Sequence, residues 1–360
     1  MALLCVAGMV LEKIVADQIE SYFEKNRLLG EYQFGFRRNK STVSEMLTLY
    51  ETLQEAKDQG LHSLVILYDL SAAFDTIEPK VLLQKLEIYG FDQNSRSWME
   101  SYLTGRSQIA TVGGQFSQPV ELNFGSPQGS RLSPLLFIIL MADLDLWSTG
   151  GELSQFADDT QSSLMKNSEE ELRKAAKEES EAVVSHFGAN NLVNNADKAA
   201  LLYNKSGKGD TISMEIAGET ITSVPSEKLL GLHFSSAIDW KVHIEKTIHK
   251  LNQRLGILRR LQCKIPRSKL KIIAEAIFTS VARYGIAVYS KPRLHSDPIG
   301  EDMHKLQVTQ NKMFRLLDGK SKKDKVSVQK IAKKFEMMSI NQLTFLWRLT
   351  RFSTLEPQTN

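Results

Sequence analysis

Two adjacent aspartates, Asp158 and Asp159, lie in the run LSQFADDTQSS (Leu153 to Ser163), and a third, Asp69, closes the apolar run SLVILYDL (Ser63 to Leu70). One Asp suits a tight turn, because its side chain bonds the backbone two residues on, whereas a second acid beside it adds repulsion. Read alone, an Asp-Asp pair is more often an ordinary turn. Three carboxylates presented at the edge of one sheet are another matter, since buried like charges are prohibitive unless cations neutralise them. Oxygen ligands without His or Cys select hard cations such as Mg2+, with Mn2+ as the alternative, and these take the rest of their shell from water and substrate phosphates. The chemistry that asks for this arrangement is two-metal, in-line phosphoryl or nucleotidyl transfer.

Between these acids lies NFGSPQGSRLSPLLF (Asn123 to Phe137), a loop punctuated by Gly and Pro. Its glycines, Gly129 among them, allow a backbone to approach a ligand closely, and Gln128 offers hydrogen bonds to a base or sugar. The plainer reading is a turn that caps a core helix. Arg37 and Arg38 in GFRRNKS carry guanidinium forks suited to the phosphates of nucleotide or template, and pinning of the loop onto the palm is the competing role for Arg37.

The elements that must position these groups follow from periodicity. Leu11 to Asn26 and Ser41 to Gly60 carry apolar residues at three- and four-residue spacing, and the second opens on a Ser/Thr cap, so both are predicted helices. Ser63 to Leu70 reads as a buried central strand ending on Asp69. PKVLLQKLEIYG and SRSWMESYLTG read as short helices stopped by glycine, followed by a hairpin across Gly113 and Gly114. Ser133 to Trp147 is apolar nearly all round, which predicts one buried helix too short to span a bilayer. The Asp-Asp run reads as strand, turn, strand, and EEELRKAAKEESEAVVSHF as a charged amphipathic helix. ALLYNK, ISMEIAG and KLLGLHF read as short strands, and from Trp240 onward the pattern is helical, with breaks at Pro266, Pro292 to Pro298 and Gly319.

The chain of 360 residues is 42% apolar and 24% charged, an ordinary globular composition that excludes disorder. Cys5 and Cys263 are the only cysteines and neither has metal-ligand spacing, which excludes a disulfide framework or zinc module. The net charge of +3 conceals a division: residues 241–350 hold 24 Lys or Arg against 8 Asp or Glu. An acidic body therefore precedes a basic, helical end, which is read either as a polyanion-binding lobe or as a solvated helix surface.

LYDLSAAFDTI, GSPQGSRLSPLLF, FADDT and LVNNADKAALLY, with QFGFRRNKST upstream and KLLGLHF downstream, together resemble the successive motifs of reverse transcriptases of non-LTR, jockey-like retrotransposons. The resemblance runs from the first residues to about Trp240. It implies an α+β right-hand polymerase: partial fingers over residues 1–60, a palm on an antiparallel sheet with a catalytic hairpin over 61–235, and a basic helical thumb and extension over 236–360. It implies RNA-directed DNA polymerase activity with an RNA template, a DNA primer, deoxynucleoside triphosphates and two Mg2+ ions, in an intracellular setting away from membranes. Asp69, Asp158 and Asp159 would be the catalytic, metal-binding acids, with the Leu70 carbonyl a further ligand. Phe74 would be the aromatic gate against a ribose 2′-hydroxyl, and Gln128 and Gly129 would contact nucleotide and template. Lys198 resembles the lysine that protonates leaving pyrophosphate. Arg254, Arg259, Arg260 and Lys264 would track the template–primer backbone, in a salt-dependent and sequence-tolerant way. His243 is assigned packing or capping.

Some positions depart from the family pattern: Phe156 stands where Tyr is commoner, Ala199 where Thr is usual, and the chain opens on MALLCVAGMVLEK without the arginine expected just upstream. A chain truncated in its fingers is the resulting expectation. The alternative reading is a catalytically inactive relic that only binds nucleic acid; the intact acids favour the polymerase and the missing finger residues favour the relic.

Overall fold

In the computed structural model, which describes residues 4–127, 129–205, 211–216, 218–290 and 300–354, helix α1 (Val6–Lys25) turns Glu12, Ala16, Ile19 and Phe23 inward. These follow the three- and four-residue spacing of a buried helical face. Helix α2 (Thr42–Asp58) begins where its cap directs: Ser41 Oγ accepts the Ser44 N–H while Ser44 Oγ accepts the Ser41 N–H. Strand β1 (His62–Tyr68) follows, then Asp69, then the short β2 (Leu70–Ser71). Helices α3 (Pro79–Ile88) and α4 (Gln93–Leu103) lead into four short strands, β3 (Arg106–Gln108), β4 (Thr111–Val112), β5 (Gln115–Phe116) and β6 (Val120–Leu122), which form the hairpin expected around Gly113 and Gly114. Helix α5 (Leu132–Leu140), the hairpin β7 (Glu152–Phe156) and β8 (Asp159–Lys166), helix α6 (Glu169–Ala189), and β9 (Val193–Asn194), β10 (Ala200–Lys205), β11 (Ser213–Ile216) and β12 (Glu219–Thr222) complete this part of the chain.

The central sheet is antiparallel in the order β10-β1-β8-β7. Side chains alternate along β1, so Leu64, Ile66 and Tyr68 share one face and join the core that contains Phe187 of α6. Val65 points to the other face, where α2 brings Met46, Leu49 and Leu53. The strand is thus covered on both sides, the reason it reads as a nearly unbroken apolar run.

The buried helix is shorter than its sequence suggests. It ends at Leu140 and is followed by a separate 3-10 turn over Leu144–Leu146. The apolar pattern continues to Trp147, but Lys85 Nζ donates to the Leu140 carbonyl (2.6 Å) and to Asp143 Oδ1 (2.6 Å), and Tyr32 Oη donates to the Ala142 carbonyl (2.9 Å). A cation at the last carbonyls of a helix satisfies groups that a continuing helix would use internally.

Residues up to Pro225 form one compact unit and those from Ser226 a second. The second opens on the hairpin β13 (Ser226–Leu229) and β14 (Leu232–Ser235) and continues as α7 (Lys241–Gln262), α8 (Arg267–Ala274), a π turn over Glu275–Thr279, α9 (Ser280–Arg283), α10 (Ile286–Tyr289), α11 (Glu301–Asp318), α12 (Val328–Lys334) and α13 (Ile340–Thr354). The KLLGLHF strands, grouped with the palm in the sequence reading, therefore belong to the second unit. The break at Pro266 is present, Gly319 ends α11 at φ +67°, and the stretch from Pro292 to Pro298 lies outside the described residues.

His243 is buried in the second unit, its ring 4.9 Å from that of Tyr289 and its Nδ1 accepting the His233 N–H. Burial, with the charges of His233 and Lys250, pushes its pKa down to about 4. The unfolded chain, with an ordinary histidine, binds the extra proton first. The stability His243 confers is therefore complete above about pH 6.5 and is lost as pH falls toward 4. Lowering pH from 7.5 to 5 is expected to weaken this unit by about 2 kcal/mol through this residue. Urea unfolding followed by tryptophan fluorescence checks it: His243→Gln should flatten the dependence, and an equal slope in both proteins would assign it elsewhere.

Candidate active site

Two neighbours of β1 converge on Asp69. In the β1–β8 ladder Tyr68 faces Thr160, and one further step sets Asp69 beside Asp159. The β1–β10 ladder ends with Leu67 facing Ala200, and the 3-10 turn Ala196–Lys198 that leads into β10 brings Lys198 to the same strand end. The side chains follow: Lys198 Nζ lies 3.3 Å from Asp69 Oδ2. Asn195 holds the strand end in place by donating its N–H to the Asp69 carbonyl (2.8 Å). Leu70 starts β2 with a buried side chain and is paired with Asn194.

Asp158 belongs to the two-residue turn Ala157–Asp158, which joins β7 to β8 across the pair Phe156 and Asp159. Ala157 adopts φ +60°, a left-handed conformation that L residues reach at a cost. The turn carries the acids to the sheet end where Asp69 stands. Partial loss of hydration at the hairpin tip raises the pKa of Asp158, and the Asp69 charge adds to it; Asp159 is raised in the same way, with contributions from Asp158 and Asp69. The three carboxylates therefore sense one another.

The Gly/Pro loop docks on the segment that follows Asp69. The Ser126 N–H donates to the Phe74 carbonyl (3.0 Å) and the Gly125 N–H to the Ile77 carbonyl (2.8 Å). A Cβ on Gly125 would stand 2.8 Å from the Asp75 carbonyl oxygen, so the contact is one only glycine permits, and its φ of +78° makes the same demand. Phe74 is half-buried, its ring tilted against that of Phe137 in α5 with centroids 5.0 Å apart. Gly129 sits at φ +90° on the loop; Gln128 lies outside the described residues. The loop also caps α5: Ser130 Oγ accepts the Leu132 N–H (3.0 Å), and the buried carboxylate of Glu12 accepts the Arg131 N–H (3.1 Å) and the Tyr102 hydroxyl (3.1 Å). An acid at a helix N-terminus is favourable, and Glu12 is a supporting residue that the sequence reading missed.

Arg37 does not face the acids with a free fork. Its Nε and Nη2 donate to the Glu24 carboxylate, both at 2.9 Å, its Nη1 donates to the Gly30 carbonyl (2.8 Å), and its side chain is only 8% exposed. The guanidinium thus ties its loop to α1 and the turn after it, not to the palm sheet, and its fork is occupied by the Glu24 carboxylate. Arg38 pairs with Glu20 and keeps an exposed side chain.

A second supporting acid, Glu45 of α2, is buried behind the hairpin and accepts the Ser154 hydroxyl (3.0 Å). Burial, opposed by that bond and aided by Asp159, pushes its pKa up to about 8. In the second unit Arg254 is half-exposed and Arg259, Arg260 and Lys264 are exposed, none ion-paired with a described residue.

Among the described residues no three His, Cys, Asp or Glu side chains are arranged to enclose a metal ion by themselves. The donor set at the hairpin nevertheless suits a hard divalent cation: it consists of carboxylate oxygens whose mutual repulsion such a charge relieves. Mg2+ is ordinarily held by one or two carboxylates with water and substrate phosphates completing its shell, so a finished protein cage is not required.

A family profile described as "Reverse transcriptase (RNA-dependent DNA polymerase)" matches residues 1–234. The chain is 26% identical over 335 residues to the RNA-directed DNA polymerase from mobile element jockey of Drosophila funebris, covering 88% of this chain and 35% of that protein. It is 23% identical over 329 residues, with the same coverage, to the probable RNA-directed DNA polymerase from transposon BS of Drosophila melanogaster. The chain thus spans about a third of the length of these curated relatives. Among solved structures it is similar to telomerase from Candida albicans, solved in complex with a TWJ fragment of telomeric RNA: TM-score 0.51, 12% identity, covering 90% of this chain and 58% of that one. At that identity the likeness is one of fold, and the architecture is a polymerase-like α+β fold.

Proposed function

From the premise that this chain belongs to the reverse transcriptase (RNA-dependent DNA polymerase) family, we propose that it is an RNA-directed DNA polymerase domain that extends a DNA primer on an RNA template. The observation that carries the reading is the convergence of Asp69, Asp158 and Asp159, with Lys198, at the end of one sheet. Helices α1 and α2 with the intervening loop act as fingers, the sheet as palm and the second unit as thumb.

Asp69, Asp158 and Asp159, with the Leu70 carbonyl, would hold two Mg2+ ions, or Mn2+ in their place. When bound, these ions neutralise the charge that develops on the attacking 3′-oxygen and on the leaving pyrophosphate. The residues of the chain do the rest. Phe74, backed by Phe137, presents a wall to the sugar of the incoming deoxynucleotide. Gly129, which lacks a side chain and so holds φ +90° with its backbone open, and Gln128 contact nucleotide and template. Lys198 hands a proton to the departing pyrophosphate. Arg254, Arg259, Arg260 and Lys264 follow the backbone of the template–primer by charge. Arg37 acts through the loop it pins.

Primer extension on an RNA template with Mg2+ and deoxynucleoside triphosphates tests the reading. Extended products are expected, with a rate that falls as salt is raised. Salt-sensitive binding of the template–primer without extension would replace the polymerase by its rival, a chain that binds nucleic acid through the basic surface of α7 but does not copy it.

A further inference from the structure

The segment Gln33–Gly35 carries no charge and no group that reacts, yet it runs against the catalytic turn along its whole length. The Gln155 N–H donates to the Tyr32 carbonyl (2.8 Å) and the Phe34 N–H to the Gln155 carbonyl (2.7 Å), which gives the isolated parallel bridge Gln33↔Gln155. The Gln33 side chain is 2% exposed; its Oε1 accepts the N–H groups of Gly35 (2.8 Å) and Ala157 (3.3 Å), and its Nε2 donates to Gln155 Oε1 (3.3 Å). Gln155, fully buried, passes the chain of bonds on by donating to Thr160 Oγ1 (2.9 Å). Gly35 completes the fit: a Cβ there would lie 2.3 Å from Ala157 N and 2.9 Å from the Phe156 carbonyl carbon, both backbone atoms that cannot swing aside.

We propose that Gln33–Gly35 is a mould for the Ala157–Asp158 turn, and that Gln33 and Gly35 are positioning residues for Asp158 and Asp159. The proposal rests on the polymerase reading. The turn needs a mould for two reasons on its own residues. Ala157 is held at φ +60°, which an alanine does not choose unaided. Asp158 and Asp159 are adjacent acids brought to the strand end that carries Asp69, and carboxylates gathered at one place repel one another. The mould is itself fixed from outside: Arg37 ties the loop to Glu24 and Gly30, and Lys40 Nζ stands 4.6 Å over the Phe34 ring. Displacing reacting groups by about 1 Å costs on the order of 10²-fold in rate.

The variants are Gly35→Ala and Gln33→Ala, the first forcing the turn outward and the second releasing the Ala157 N–H. Both are expected to lower kcat for primer extension by roughly 10²-fold, while KM for deoxynucleotide and affinity for template–primer stay within about twofold. Gly35 has no positive φ, so the alanine is unstrained except by its contact with the turn. Should Gly35→Ala fail to fold, Gln33→Ala still decides the matter. The second readout is amide hydrogen exchange: in Gln33→Ala, exchange at Ala157 should speed up while the β8 amides stay protected. Wild-type kcat in both variants, or unchanged exchange at Ala157, overturns the mould, as does a parallel loss of protection throughout β8, which would make Gln33 merely structural. A wild-type protein that extends no primer overturns the polymerase reading instead, and the exchange result still tells whether Gln33 holds the turn.

Discussion

Asp158→Asn is expected to reduce primer extension by about 10³-fold or more while leaving the melting temperature unchanged or slightly raised. The amide keeps the shape of the carboxylate but removes one of three negative charges that would hold divalent cations, and such charge stabilisation is worth several kcal/mol in the transition state. The stability half of the prediction follows from the direction of the pKa. Dehydration at the hairpin tip, with Asp69 nearby, lifts the Asp158 carboxyl above its ordinary value, so the fold prefers it protonated. A carboxyl raised in this way favours the fold at low pH and disfavours it as pH rises through the folded pKa. At neutral pH the ionised group is therefore a cost to the fold, and the amide removes it. An acid kept for structure would show the opposite. Paired measurements of extension rate and thermal unfolding decide: activity and melting temperature falling together would make Asp158 a structural residue.

The separate elements around this site are legible in the sequence, because each is written in local chemistry. The Ser41 cap, the unbroken apolar run of β1, the glycine stops after α3 and α4 and the Asp-bearing hairpin all appear where spacing and turn residues put them. What brings the acids together is not local. Asp69 meets Asp159 through a ladder register between distant segments, and Lys198 through the turn that leads into β10, neither of which any window of sequence displays. The pairing of Arg37 is hidden for the same reason: its partner Glu24 is thirteen residues earlier and on another element. The end of α5 falls short of its apolar pattern because Lys85 and Tyr32, which stop it, arrive from elsewhere. Two supporting residues do carry a local signal. Glu12 shares the inward stripe of Ala16, Ile19 and Phe23, and Glu45 that of Leu49, Leu53 and Ala56. A carboxylate on an otherwise apolar helical stripe must find buried partners, and these two find the α5 N-terminus and the back of the hairpin.

The second large effect is expected at Phe137. Its ring is fully buried in α5 and meets that of Phe74, centroids 5.0 Å apart. Phe137→Ala removes a whole aromatic side chain from a helix with buried neighbours on nearly every side, so the site has little freedom to collapse onto the space. A loss of about 3–5 kcal/mol follows, or roughly 6–20 °C in melting temperature for a unit of this size. The same ring is what stands behind the proposed sugar wall, so packing and selectivity are coupled at one contact and two variants are needed to part them. Phe137→Leu retains most of the apolar volume and should cost much less stability, yet it leaves Phe74 without its aromatic support. Phe74→Val removes the wall itself from a half-buried position, where less surface is lost. If Phe74 excludes a 2′-hydroxyl, ribonucleotide incorporation relative to deoxynucleotide rises most in Phe74→Val and measurably in Phe137→Leu, although the order of their stability losses follows burial and not selectivity. Equal discrimination in wild type and Phe74→Val would remove Phe74 from the sugar site and leave its contact with Phe137 as ordinary core.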